Sequence, residues 1–142
     1  MRKEEAKLQD KFIALLKKEN ILYIKTTGGL SYLPAGEVKR TDKGTYTGEF
    51  RPIKNKEGFA DVIVFKNYEK SFKNSQTFFI EIKTDTSKLR PSQIEKFNEL
   101  TNKGFDCYIL RPKHWKEAKK QSKLNFLMLL DKMEYYKCFI KI

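Results

Sequence analysis

The stretch FFIEIKTDTSKLRPSQIEKFNELTNKGFDCYIL (78–110) decides the fold. It opens on one strand pattern, Phe78 to Lys83, and closes on another, Phe105 to Leu110, which Arg111-Pro112 ends. Between them a polar turn leads into a helix with its own boundary signals. Ser92 is the expected N-cap, Glu95 its capping-box partner and Gly104 the stop, with Pro91 just outside. Strand, helix and strand in so short a stretch predict a right-handed parallel crossover. Side chains alternate with period two, so Phe78, Ile80 and Ile82 share one face while Phe79, Glu81 and Lys83 share the other. A carboxylate and an ammonium therefore emerge side by side from a strand whose opposite face is wholly apolar.

Working upstream, Val62 to Phe65 reads as another strand, and the polar link from Lys66 to Gln76 is short enough for antiparallel pairing with Phe78–Lys83. Asp61 stands at the mouth of that strand, directly after Gly58-Phe59-Ala60. Pairing brings Asp61 and Glu81 to one end of the sheet. Residues 28–57 break the pattern with repeated Gly and Pro in a basic, polar stretch, with a hairpin expected around Thr45 to Phe50. Ile21 to Lys25 is a short strand, and residues 4–19 form an amphipathic helix with Leu8, Phe12, Leu15 and Leu16 as its apolar stripe. Downstream, 113–123 carries five lysines, Leu124 to Leu130 is almost entirely apolar, and Tyr136, Cys138, Ile140 and Ile142 alternate as in a half-buried strand. The expectation is a single α/β domain over 1–142, with 28–57 as a basic insertion and 113–142 as a C-terminal extension.

Composition narrows the partners. Hydrophobic residues at 39% are enough for a core, and a net charge of +12 on 142 residues favours a polyanion, nucleic acid above all. Cys107 and Cys138 have neither zinc nor redox spacing and read as small buried hydrophobes in a reducing compartment. The N-terminus is too charged for a signal peptide and no apolar run spans a bilayer, so the expectation is a soluble, cytoplasmic protein without membrane contact. His114, the sole histidine, is expected to pack with Trp115 at a surface rather than bind metal. The lack of other histidines disfavours zinc chemistry, and no P-loop is present.

Two carboxylates in a partly dry site repel unless a cation lies between them, and Mg²⁺ suits such a pair. Lys83 could orient or help deprotonate an attacking water, or stabilise charge on phosphoryl oxygens. Glu-x-Lys on a strand is also an ordinary ion pair, and Asp after a Gly-rich turn is commonly a turn residue. The order of the features separates the readings: Asp at a strand start, Glu-x-Lys on the next strand, then a crossover helix. Glu5 extends the Leu8–Phe12–Leu15 stripe by one turn, although a first-turn Glu is also favoured by the helix dipole, as Glu4 would be. Gln93 shares a helical face with Phe97 and Leu100, which points it at the sheet near Lys83.

The series Glu5, GFAD (58–61), IEIK (80–83) and Gln93 resembles the PD-(D/E)XK nuclease superfamily, and within it the stand-alone VRR-NUC type of phages and bacteria. The resemblance covers 1–27 and 58–112, with Ala60 in place of the signature proline. It implies a restriction-endonuclease-like fold, a central mixed sheet flanked by helices in the order αβββαβ. It also implies Mg²⁺ or Mn²⁺ held by Asp61, Glu81, the Ile82 carbonyl and Glu5, Lys83 as the catalytic lysine, and Gln93 beside it. DNA would be gripped by Thr84, Ser87, Lys88 and Arg90 after the catalytic strand and by Lys39, Arg40, Lys43 and Arg51 in the insertion. The leading expectation is a metal-dependent DNA endonuclease like the Holliday-junction resolvases, working as a homodimer in a bacterial or phage-infected cell. The apolar run Leu124–Leu130 is either its interface or core. The alternatives are a non-catalytic nucleic-acid-binding module, and an exonuclease or restriction-like enzyme on the same fold.

Overall fold

The first helix of the computed structural model, α1 (Lys3–Lys18), begins with Glu4 and Glu5 and ends with Lys17 and Lys18, matching the helix dipole at both ends. Asn20 closes it in the left-handed conformation at φ 57°, while the Ile21 N–H reaches back to the Leu16 carbonyl. The structure describes residues 3–26, 32–40, 46–52, 58–67, 75–120 and 123–137; for 32–40 and 46–52 this is the backbone path. After α1 come β1 (Leu22–Lys25), β2 (Tyr32–Arg40), β3 (Tyr46–Pro52), β4 (Val62–Asn67) and β5 (Ser75–Ile82). Then follow α2 (Pro91–Asn102), β6 (Asp106–Leu110), α3 (Pro112–Lys119), α4 (Phe126–Lys132) and β7 (Glu134–Tyr135).

Five strands form the main sheet in the order β1-β4-β5-β6-β7. The β5–β6 pair is parallel and the other three pairs are antiparallel, so the sheet is mixed. This is the expected αβββαβ core, and the fold is α/β and restriction-endonuclease-like. The insertion is not a plain loop: β2 and β3 pair antiparallel as a separate two-stranded sheet, with a register shift between Ala35 and Lys39. Phe50 faces Pro34 across this hairpin, and the turn between the strands lies outside the described residues.

Both faces of β5 are covered, as its period-two pattern requires. Phe78, Ile80 and Ile82 join Leu8, Phe12 and Leu16 of α1 and Phe126, Leu129 and Leu130 of α4 in one buried cluster. Phe79, on the other face, joins Phe97 and Leu100 of α2 with Cys107 and Ile109 of β6. Each such side chain, once buried, stabilises the fold by about 1.5–3 kcal/mol. The apolar run 124–130 therefore belongs to the core: Phe126, Leu129 and Leu130 are buried and Leu127 is exposed. Cys107 is buried and free, and burial, then the Asp106 charge, push its thiol up to about 12. Cys138 lies outside the described residues.

Two local expectations are corrected. The N-cap of α2 is Arg90, not Ser92, and the reciprocal partner is Gln93, not Glu95: the Arg90 N–H donates to Gln93 Oε1 at 2.8 Å. Pro91 is then inside the helix at its first position, where its missing N–H costs nothing. Gly104 does end the helix, at φ +90°. The last described strand is Glu134–Tyr135, ahead of the alternation expected from Tyr136, whose N–H still reaches the Cys107 carbonyl; residues 138–142 lie outside the described part. Among the described residues no helix is long and apolar enough to cross a membrane.

Candidate active site

The end of the sheet where β4 begins and β5 ends gathers the buried charges. Val62 pairs with Ile80, so one further step in the same register sets Asp61 opposite Glu81. Both are almost fully buried, Asp61 at 4% exposure and Glu81 at 3%. Asp61 is fixed through its side chain and its main chain. Its Oδ2 accepts the Ile82 N–H at 2.9 Å, and its carbonyl accepts the Thr26 N–H at 2.9 Å. The Thr26 hydroxyl donates to the Ala60 carbonyl at 2.5 Å, which ties the end of β1 to the approach to β4.

Glu81 Oε1 accepts from Gln93 Nε2 at 3.2 Å, while Oε2 is buried without a hydrogen-bond partner among the described residues. Gln93, 3% exposed, thus joins the start of α2 to the carboxylate, since its Oε1 is held by the Arg90 N–H. Burial, then the charge of Asp61 opposite, push the Glu81 carboxyl up to about 10, against the pull of Lys83 and Arg90. Burial and the opposing carboxylate thus favour the protonated form of Glu81. Gly58 lets α2 approach: at φ +82° it lies so close to Ser92 that a Cβ would meet the Ser92 carbonyl oxygen at 2.2 Å.

Lys83, buried at 7% exposure, follows β5, and its N–H donates to the Leu110 carbonyl at 3.0 Å. The turn beyond it is braced internally and from β6. The Thr84 and Ser87 hydroxyls hydrogen-bond each other, and Arg111 Nη1 donates to the Thr84 and Ser87 carbonyls, each at 2.6 Å. Asp85 Oδ1 accepts the Lys113 N–H at 2.9 Å. The turn and the start of α3 are thereby one unit.

The structure brings together Asp61, Glu81, Ile82, Lys83 and Gln93, with Arg90 close enough to act on Glu81 and with Thr84 and Ser87 in the adjoining turn. Lys88 is exposed on that turn. Glu5 is half-buried on α1, and no group of three or more His, Cys, Asp or Glu gathers among the described residues, so it does not complete a three-carboxylate cluster with Asp61 and Glu81. Lys39 and Arg40 lie in β2 and Arg51 in β3, while Lys43 lies outside the described residues. His114 is buried rather than packed at a surface. Its Nδ1 accepts the Arg111 N–H at 3.0 Å, which caps α3.

Sequence reasoning missed Thr26, Arg111 and Gln9. Gln9 is 2% exposed with a partnerless Oε1, and it follows Glu5 by one helical turn in the buried stripe. A polar residue inside an apolar stripe was the available signal for Gln9. Arg111 had none beyond its place at a strand end, because its partners are 24 and 27 residues away.

The VRR-NUC domain model matches residues 47–114. The match holds the whole of GFAD, IEIK and Gln93, begins inside the insertion, and leaves α1 outside. No curated protein and no solved structure matches the chain.

Proposed function

We propose, from the premise that this chain carries a VRR-NUC domain, a nuclease domain of the PD-(D/E)XK type, that it is a divalent-metal-dependent endonuclease hydrolysing DNA phosphodiesters. The observation that carries the reading is the buried pair Asp61 and Glu81, with one Glu81 oxygen partnerless and Lys83 two residues on. A donor set of two carboxylates fits Mg²⁺ or Mn²⁺, hard ions that take one or two carboxylates and fill their remaining positions with water and phosphate. Asp61 and Glu81 would hold the ion with the Ile82 carbonyl beside them, and Glu81 would have to give up its proton to do so. When bound, the ion polarises the phosphodiester and acidifies water.

The chain's own groups do the rest. Gln93 fixes Glu81 through Oε1 and leaves Oε2 available. Lys83 supplies a cation at the same mouth, suited to orienting the attacking water or stabilising charge on the non-bridging oxygens of the pentacoordinate phosphorus. The short link Glu19–Ile21 turns α1 back along β1, so its first turn, with Glu5, lies toward the Lys25 end of the sheet, where Asp61 stands. Glu5 would there add a further acidic group on the approach to the mouth. Lys88 and Arg90, with Lys39, Arg40 and Arg51 of the hairpin and Lys43 of the insertion, take phosphates without reading bases. Branched DNA as the preferred substrate and a homodimer complete the proposal. The dimer interface is not the run 124–130, which is core.

Cleavage of closed circular, linear and four-way-junction DNA tests this, with Mg²⁺, Mn²⁺ or EDTA. The expected outcome is nicking of the closed circle with either metal, none in EDTA, and loss of at least a hundredfold in Asp61→Ala and Glu81→Ala, about 2.7 kcal/mol of transition-state stabilisation. Undiminished cleavage by both variants would sink the assignment, and binding without cleavage under any metal would leave a binding module. A junction cut no faster than linear duplex would remove the branched-substrate part, and a monomer in sedimentation the homodimer.

A further inference from the structure

Helices α1 and α3 leave a groove of about 320 Å³ between them on the sheet face opposite α2. Its apolar surface comes from Leu8, Pro112 and Trp115, and its cationic rim from Lys7, Lys11 and Lys116. Trp115 is half-buried, with part of its ring packed on the core cluster, so the indole is held in a fixed orientation. The three lysines are exposed, and none forms an ion pair among the described residues. Lys7 and Lys11 are one helical turn apart on the same face of α1, about 6 Å between Cβ atoms, a spacing that addresses neighbouring phosphates of one strand. Two carboxylates also line the groove: Asp85, which accepts the Lys113 N–H, and Glu4 at the N-terminal end of α1.

The position of the groove relates it to the chemistry. Asp85 is two residues beyond Lys83, in the turn that Arg111 holds against the start of α3. The turn 84–87 thus links the Glu81–Lys83 strand end to the groove, which Asp85 helps to line. A half-buried aromatic ring rimmed by exposed cations is the composition of a single-strand site, where a base stacks on the ring and the cations take the backbone. A duplex, whose bases are stacked on each other, has no free face to offer the indole.

We propose that this groove binds the single-stranded segment of nucleic acid that flanks the cleaved bond, with a base stacked on Trp115 and the backbone on Lys7, Lys11 and Lys116. The inference rests on the nuclease reading for the identity of the polyanion. It adds a subsite of different residues from those of the metal mouth and the hairpin, and it makes unpaired ends or branch points preferred over continuous duplex.

Trp115 is the only tryptophan in the chain, so its fluorescence reports this groove alone. The full chain in EDTA is titrated with an oligothymidylate, with a duplex of equal length and with polyglutamate, while anisotropy of labelled oligothymidylate follows binding independently. The expected result is quenching by the single strand and by neither other ligand. Lys7→Ala with Lys11→Ala weakens single-strand binding about tenfold and reduces the salt slope by about 1.4, which is ~0.7 for each phosphate contact removed. Trp115→Ala weakens it by about tenfold or more, and Trp115→Phe, which keeps a ring on the core, restores most of the loss. Anisotropy binding without quenching, lysine variants with unchanged affinity and slope, or equal quenching by duplex or polyglutamate would each overturn the proposal. Cleavage in Mg²⁺ is scored separately. Quenching without cleavage keeps the groove and fails the nuclease reading, and cleavage without quenching does the reverse.

Discussion

Replacing Gly58 by alanine adds one carbon at a place with two separate penalties. The first is conformational: φ is +82°, and an L-residue there costs about 1–2 kcal/mol. The second is steric. The new Cβ would lie 2.2 Å from the Ser92 carbonyl oxygen and 2.6 Å from its carbon, whereas ordinary contact begins at 3.4 Å. Both obstacles are backbone, so no rotamer relieves them and the first turn of α2 must retreat by about 1 Å, an overpacking cost of about 1–3 kcal/mol. The sum is about 3 kcal/mol. Gly104 is the internal control, because its φ is +90° but nothing lies within 4 Å of its would-be Cβ. Gly104→Ala therefore costs only the conformational part, about 1 kcal/mol. Urea denaturation followed by circular dichroism measures both, with m compared to show that one transition is being read. In heat the two variants differ by roughly 6 °C for a chain of this size. Because the displaced turn carries Gln93, which positions Glu81, Gly58→Ala also lowers cleavage while Gly104→Ala leaves it unchanged. Equal losses of stability in the two variants would refute the close approach of Gly58 to α2.

Three other outcomes are expected. Glu81→Gln stabilises the metal-free protein at neutral pH. The Glu81 carboxyl has a folded value of about 10 against 4.5, so its contribution is full below 4.5 and is lost as pH rises toward 10. The variant's advantage therefore grows as pH rises between pH 5 and 8 in EDTA, by on the order of 1 kcal/mol per pH unit at most; parallel stability profiles for the two proteins would contradict this. Arg111→Ala costs about 3 kcal/mol by urea denaturation, since the Thr84 and Ser87 carbonyls lose their donor and the 84–87 turn is freed; a loss below ~0.5 kcal/mol would show that the turn is held by other means. His114→Ala costs about 1 kcal/mol as a lost cap at pH 8. Burial, then the Lys113 charge, lower the His114 value from 6.5, so its contribution is present above pH 6.5 and is lost as pH falls below it; a cost independent of pH would refute the neutral capping ring.

What could be read from the residues followed the range over which each property is determined. Alternation within 78–83 assigns Glu81 and Lys83 to one face of a strand, and the short links around it assign that strand's neighbours. Two covered faces of β5 follow from a pattern apolar on one side and half apolar on the other. Asp61 came from its place before a strand, and Gln93 from its face on a helix. The cap of α2 was misread because Ser92 and Glu95 are a good local match, while the actual choice depends on Pro91 occupying the first helical position.

By itself the amino-acid sequence determined the order of helices and strands around 58–110 and the α/β class, and it put Asp61 before one strand and Glu81 with Lys83 on one face of the next. These rest on period, spacing and turn chemistry, which act over a few residues. Only the tertiary structure decided that the insertion pairs as β2 with β3, that 124–130 is core, and that Arg111 reaches back to the turn at 84–87. It also decided that Glu81 retains a partnerless oxygen and that α1 and α3 enclose a groove rimmed by lysine. Each of these depends on which distant residues come within a few ångströms, and burial and hydrogen-bond partnership are properties of that juxtaposition rather than of any local pattern.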